Sequence, residues 1–197
     1  GDVRFTGNWN SVNAHTVPKW YEDCKFGIFI HWGIYSVPAF APHTWELGEV
    51  DSKEWFADNP YAEWYYNSLN IGKGPTYKHH IEKYGKDFKY EDFIPMWKAE
   101  NWDPKQWAEI FKEAGAEYVV LTTKHHDGFC LFPSKYTHFN SVEMGPKRNI
   151  TGELTEAVRD AGIRMGLYYS GLIDWQYEND PIFEDDDLFG TASPTFA

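Results

Sequence analysis

Apolar runs alternate along this chain with segments whose apolar positions recur at helical spacing. Phe26-Gly27-Ile28-Phe29-Ile30 is the first such run, and it ends in His31-Trp32-Gly33. Trp102-Asp103-Pro104 opens a helix, because Asp at the N-cap and Pro at the first helical position satisfy or remove orphan N–H groups. Trp107, Ile110, Phe111 and Ala114 then recur on one predicted inward face, and Gly115 is a natural stop. A strand from Glu117 to Thr123 follows at once. The unit then repeats. Thr151 is placed to cap a helix running through Glu153 to Ala161, with Leu154, Ala157, Val158 and Ala161 facing inward. Gly162 ends that helix, and Ile163 to Ser170 reads as the next strand.

Helices feeding directly into apolar strands imply βαβ connections and a parallel sheet. The fold class is therefore α/β, with a (β/α)8-like TIM barrel as the leading architecture and an open doubly wound sheet as the alternative. Trp32-Gly33-Ile34-Tyr35-Ser36 is not a glycine-rich phosphate loop, which lowers the nucleotide-binding version. Three strands are legible, and a fourth if Phe5 to Trp9 or another short segment pairs. A complete barrel needs about 250 residues. These 197 residues accordingly read as the amino-terminal portion of a single catalytic barrel. Such a half exposes an unpaired parallel edge and is expected to need the missing carboxyl-terminal half, or another chain, to be soluble.

The formal net charge of -12 speaks against nucleic acid and against an anionic membrane, and fits a neutral or cationic ligand. No apolar run approaches membrane-spanning length, and residues 1 to 20 lack the apolar core of a signal peptide, although secretion stays open. Cys24 and Cys130 form no metal motif and fall at opposite ends of a parallel sheet, so free, buried thiols are expected. Aromatic residues make up 19% of the chain and crowd the stretch from Trp32 to Tyr66. A core takes many of these, yet the same density suits stacking on the apolar face of a sugar ring.

Candidate chemistry collects where apolar runs end, since the carboxyl ends of parallel strands are where sites are built. His125 and His126 follow Val119 to Lys124 at such a place, as His31 does for the first run. Adjacent strand residues point to opposite faces, so the two rings should diverge unless the strand breaks there. That spacing argues against a two-histidine metal site and for two separate hydrogen-bonding roles; no metal or cofactor is expected. Lys124 and Asp127 read as a structural ion pair. Either of Tyr168 and Tyr169 can reach the pocket, and Asp174-Trp175 lies just beyond. Asp127, Asp174 and Glu63 are carboxylates by position, but none stands out as one of the pair that glycoside hydrolysis needs. His79-His80, among Lys78, Lys83 and Lys86, reads as exposed and inert, and the acidic run from Glu184 to Asp187 as a solvated loop. Asn149-Ile150-Thr151 matches a glycosylation sequon, a weak motif here.

Five segments taken together resemble the α-L-fucosidases of glycoside hydrolase family 29. They are Phe26 to Gly33, Glu63-Trp64-Tyr65, Thr122 to Phe129, Gly145-Pro146-Lys147-Arg148, and Gly166-Leu167-Tyr168-Tyr169-Ser170, in register from about residue 18 to 180. The resemblance implies retaining release of α-L-fucose from fucosylated oligosaccharides or glycoconjugates by a (β/α)8-like domain. It implies that His31, His125 and His126 hydrogen-bond fucose hydroxyls, that Trp64 and a Tyr at the Tyr168-Tyr169 position line the same pocket, and that Glu63 is near. It also implies a secreted, periplasmic or lysosomal location, and leaves a homo-oligomer open. The sequence departs from the family pattern in two ways. The family's nucleophilic Asp and its acid/base fall after the region matched here, so no catalytic carboxylate is expected before Ala197; Asp174-Trp175 matches a different part of the pattern. Asn149 stands where the family often carries Asp.

Overall fold

The computed structural model describes residues 5–177, apart from Leu47, together with residues 180–184 and 187. Two single-turn helices, α1 (Trp9–Asn13) and α2 (Lys19–Asp23), precede strand β1 (Gly27–Ile30). A helical excursion follows: α3 (Ser52–Ala57), α4 (Tyr65–Ile71) and α5 (Pro75–Tyr84). Helix α6 (Pro104–Glu113) then leads into β2 (Tyr118–Lys124), and α7 (Ile150–Asp160) into β3 (Arg164–Tyr169). The three strands form one parallel sheet in the order β1-β2-β3, the βαβ arrangement the sequence pattern predicts. Among the described residues Phe5 to Trp9 adds no fourth strand; Trp9 instead begins α1.

The local chemistry explains most element boundaries. Asp103 caps α6 as expected, its carboxylate accepting from the Lys105 and Gln106 N–H groups. The cap of α7 is Asn149 rather than Thr151: the Asn149 side chain accepts from the Gly152 N–H, and Thr151 lies inside the first turn. An Asx cap two residues earlier starts the helix at Ile150, which adds a fully buried residue to its inner face. Helix α6 also sits differently from its sequence pattern. Ala108 is buried and Trp107 and Phe111 pack against the core, but Ile110 and Ala114 are exposed.

In-register partners share a face of a sheet. Ile28, Val119 and Met165 stand level, as do Ile30 and Leu121, and these side chains pack under α6 and α7 with Leu154, Ala157 and Val158. On the other face Phe29, Val120 and Gly166 stand level, with Tyr118 and Gly27 one step before them. A Cβ at Gly27 would meet the Tyr118 ring at 2.1 Å, so only glycine lets that ring lie over β1. Phe29 is half exposed on this second face, and Leu167 and Tyr169 are exposed on β3. No helix among the described residues is long and apolar enough to cross a membrane. Cys24 and Cys130 are both free; Cys130 is buried and Cys24 partly so.

Candidate functional site

The site is built from the carboxyl ends of the three strands. Alternation along β1 puts His31 on the open face after Phe29, and the two rings lie 5.1 Å apart. On β3 the same alternation puts Tyr168 on the open face, 5.8 Å from Phe29. Tyr169 points the other way, exposed, with the Lys124 ammonium 5.1 Å from its ring centre. Tyr168, not Tyr169, therefore faces the cluster.

The histidine pair overturns the sequence expectation of diverging rings. Thr122 is level with Tyr168, but Lys124 is level with Tyr169, so β2 carries one extra residue, Thr123. A bulge of this kind shifts the alternation by one and re-aims every later side chain. It sends Lys124 to the helix-covered side and brings His125 onto the open face. The bulged segment stays satisfied: the Thr123 hydroxyl donates to the Tyr168 carbonyl at 2.7 Å, and the Leu131 N–H donates to the Thr123 carbonyl at 2.7 Å. The strand ends at Lys124, and the chain turns tightly through His125 to Gly128, whose N–H donates to the His125 carbonyl. Gly128 has φ +80, and a Cβ there would lie 2.4 Å from the Asp174 carboxylate. The imidazoles of His125 and His126 consequently sit together, 4.1 Å between centroids.

Around the pair stand the other predicted residues. His31 lies 5.3 Å from His125, and Tyr168 is 6.0 Å from it and nearly parallel. Trp64, at the end of the short 3-10 turn Ala62–Trp64, meets His126 edge-on at 5.3 Å. Glu63, in the same turn, is half-buried; burial above all, then the charge of Asp127 and more weakly that of Glu63, raises the pKa of Tyr35. His31, Trp64, His125, His126 and Tyr168 thus share one place, Glu63 borders it, and Tyr169 does not belong to it.

Several residues of the cluster escape a reading by local pattern. Trp175 is buried, 5.4 Å from His126 and 5.3 Å from Trp64, and its backbone N–H donates to the His126 carbonyl at 2.8 Å. Tyr35 reaches Thr122, hydroxyl to hydroxyl, at 3.3 Å and meets His125 edge-on. Ser170, already part of a recognised motif, places its hydroxyl 2.7 Å from Nδ1 of His126. The dense aromatic stretch was a partial signal for Tyr35; Trp175 and Ser170 depend on where the chain after β3 returns.

The charged groups pair otherwise than expected. Lys124 is buried and binds Asp174, Nζ to Oδ2 2.9 Å, not Asp127. Its ammonium also donates to the carbonyls of Ser170 at 2.8 Å and Ile173 at 3.3 Å, clamping the segment after β3 onto β2. Asp127 instead accepts from the Tyr90 hydroxyl at 2.7 Å and the Phe129 N–H at 3.1 Å. Burial pushes the Asp127 carboxyl up to about 6, against the pull of those two donors. His80 is a second correction. It is buried rather than exposed, with Nδ1 2.9 Å from the Tyr65 hydroxyl and Nε2 2.7 Å from the Phe88 carbonyl, while His79 stacks on Phe40. The acidic run falls partly outside the described residues; Glu184 pairs with Lys53 there.

Burial holds two imidazoles of the cluster, His125 and His126, neutral. Burial, then the neighbouring His126, His31 and Lys124, hold His125 down to about 2. Burial, then Lys124 and His31, hold His126 down to about 4. A neutral imidazole has one donor and one acceptor, which suits an uncharged polyol. Nδ1 of His125 is sealed from solvent and has no hydrogen-bond partner among the described residues, an unpaired polar atom inside the cluster. Among the described residues no three His, Cys, Asp or Glu side chains are grouped so that they could hold a metal ion.

The chain matches the family model described as alpha-L-fucosidase over residues 2–188. It is 43% identical over 176 residues to the alpha-L-fucosidase of Dictyostelium discoideum, covering 87% of this chain and 34% of that protein. It is 41% identical over 187 residues to human plasma alpha-L-fucosidase, covering 94% of this chain and 35% of the relative. Among solved structures, Thermotoga maritima alpha-fucosidase in complex with fucose superposes with a TM-score of 0.84 at 54% identity, over 94% of this chain and 42% of that one. A structure named alpha-L-fucosidase superposes with a TM-score of 0.89 at 56% identity and the same coverage. The chain thus spans about a third of the length of the curated relatives it matches.

Proposed function

The chain belongs to the alpha-L-fucosidase family, and from that premise we propose that it forms the amino-terminal portion of a retaining exo-glycosidase that releases α-L-fucose. In this reading the three parallel strands are consecutive strands of a (β/α)8 barrel whose remaining part lies outside these 197 residues. The whole forms a single catalytic domain. The exposed Phe29 on the open face is then lumen surface awaiting its covering strands.

One observation carries the proposal: three imidazoles from two strand ends, with Trp64 and Tyr168, converge on one open face, and burial holds those of His125 and His126 neutral. His31, His125 and His126 hold sugar hydroxyls, Trp64 offers an edge or face to the ring's apolar side, and Tyr168 and Glu63 close the rim. Neutrality matters, because a charged imidazole would lose its acceptor and pay for burial. Several convergent polar contacts also make a pocket reject sugars that lack the matching hydroxyl. This chain's residues bind and orient the sugar; the nucleophilic Asp and the acid/base are supplied from outside it. The substrate class is a fucosylated oligosaccharide or glycoconjugate.

A second reading, a non-catalytic fucose-binding piece, shares the pocket and differs in the chemistry. Assay with p-nitrophenyl α-L-fucoside separates them. The full-length protein that contains this chain should turn the substrate over, and the 197-residue chain should not. Binding of L-fucose without turnover by the full-length protein would favour the second reading, and turnover by the isolated chain would sink the placement of the nucleophile outside it.

A further inference from the structure

A chain of polar groups stands behind His126. The Ser170 side chain is buried at the carboxyl end of β3, with Oγ 2.7 Å from Nδ1 of His126 and 3.1 Å from the carbonyl of Ile173. A serine hydroxyl has one proton, and a backbone carbonyl can only accept. The structure aims the hydroxyl at the Ile173 carbonyl, and with its proton there the oxygen can only accept from His126. His126 must then carry its hydrogen on Nδ1. The ring is neutral, since burial and the nearby Lys124 hold it down to about 4, so it has no second N–H. Nε2 is left with a bare lone pair. That nitrogen has no partner among the described residues and, unlike Nδ1 of His125, is not sealed from solvent.

We infer that Ser170 is a positioning residue that fixes the tautomer of His126, so that Nε2 is an obligate acceptor and selects a ligand hydroxyl able to donate. The inference rests on the fucose-pocket reading only for the identity of the ligand. The same clamp that places the loop places the relay: Lys124 holds the carbonyls of Ser170 and Ile173, and the Ser170 N–H donates to the Lys124 carbonyl at 3.0 Å. The outer nitrogen of a ring held by a second group behaves in this way wherever a hydrogen bond decides which nitrogen is protonated.

The consequence is a specificity rule. Fluorine cannot donate a hydrogen bond, so replacing the hydroxyl that His126 receives by fluorine removes the pairing and leaves a buried acceptor unsatisfied. A neutral hydrogen bond of this kind is worth about a 2- to 12-fold change in affinity. If Ser170 is cut to alanine, nothing among the described residues holds the proton on Nδ1. Nε2 can then become the donor, and the fluorine penalty at that one position should shrink while the parent sugar binds more weakly.

Two measurements on the full-length protein test this. Histidine-selective nitrogen NMR without ligand should show His126 as the Nδ1–H tautomer, a shift toward Nε2–H in Ser170→Ala, and retention in Ser170→Thr, which keeps a hydroxyl. The Nε2–H form in the unsubstituted protein, or an unchanged tautomer in Ser170→Ala, would overturn the inference. Titration with L-fucose and its 2-, 3- and 4-deoxyfluoro analogues should show one position with a penalty that Ser170→Ala selectively reduces. Equal weakening of every sugar by Ser170→Ala would mean ordinary structural damage and count against the rule. Failure of L-fucose to bind at all would remove the ligand assignment while the NMR result stood on its own. Should Ser170→Ala not fold, the unsubstituted protein and Ser170→Thr still decide the tautomer.

Discussion

Lys124→Met should loosen the segment after β3 without emptying the core. The side chain is 4% exposed, and Met, one atom shorter, keeps most of its packing. What disappears is the ammonium that pairs with Asp174 and donates to the carbonyls of Ser170 and Ile173. Removing one partner of a buried pair costs about 3–5 kcal/mol when the remaining charge is sealed. Asp174 is 25% exposed and keeps the Gln176 N–H on its other oxygen, which places its share near the lower end of that range. Ile173 also keeps the Ser170 hydroxyl. A total of about 3 kcal/mol follows, or roughly a 100-fold rise in local opening. Amide exchange in the full-length protein reads this directly. The N–H groups of Ser170 and Trp175, which bind the carbonyls of Lys124 and His126, should lose protection by about that factor, while α7 should not. Lys124→Met with Asp174→Asn should recover part of the loss, because no charge is then left unpaired. A change under threefold at both amides, or strict additivity in the double variant, would refute the clamp.

Other expectations concern the pocket and its turn. His126→Ala, and separately His125→Ala, in the full-length protein should each lower kcat/KM for aryl α-L-fucosides by at least about 10-fold with the fold retained by circular dichroism; unchanged kinetics would remove them from the pocket. Gly128→Ala should destabilise by more than about 1 kcal/mol, since φ +80 and a 2.4 Å contact with Asp174 both oppose a Cβ; a neutral effect in thermal melts would show that the turn relaxes freely. Between pH 6.5 and 4 the unfolded chain takes up protons on His125 and His126 that the folded chain refuses, so acid should destabilise. Asp127 acts with the opposite sign: its folded carboxyl is raised to about 6, so its contribution is fully present below the ordinary carboxylate range and is lost as pH rises through about 6. Asp127→Asn should therefore steepen the fall of Tm between pH 6 and 4; an unaltered slope would contradict the assignment.

The sequence reveals the architecture because its signals are local. Asp103-Pro104 starts a helix and apolar runs precede His31 and His125, and these act over one or two turns of chain. The His pair was legible as a site but not as a geometry. Period-two alternation sends the rings apart, and only the pairing of β2 with β3 shows that Thr123 is an extra residue. Lys124 illustrates the same limit. Its neighbour Asp127 is three residues away, yet its true partner Asp174 arrives through the loop after the next strand. For His80, the flanking lysines suggested exposure, but helical periodicity puts His80 on the buried face with Thr76 and leaves Lys78 and Lys83 exposed on the helix surface. Thr151 and Asn149 are both competent caps, and the choice between them is made by which residues the core can bury.

The clustered histidines are proposed to hold a fucose ring. A crystal structure of the full-length protein soaked with L-fucose tests that most directly. The sugar should sit against Trp64 with its hydroxyls within hydrogen-bond distance of His31, His125 and Nε2 of His126, and with Tyr168 rather than Tyr169 at its edge. Fucose bound elsewhere, or a ring that touches none of the three imidazoles, would contradict it.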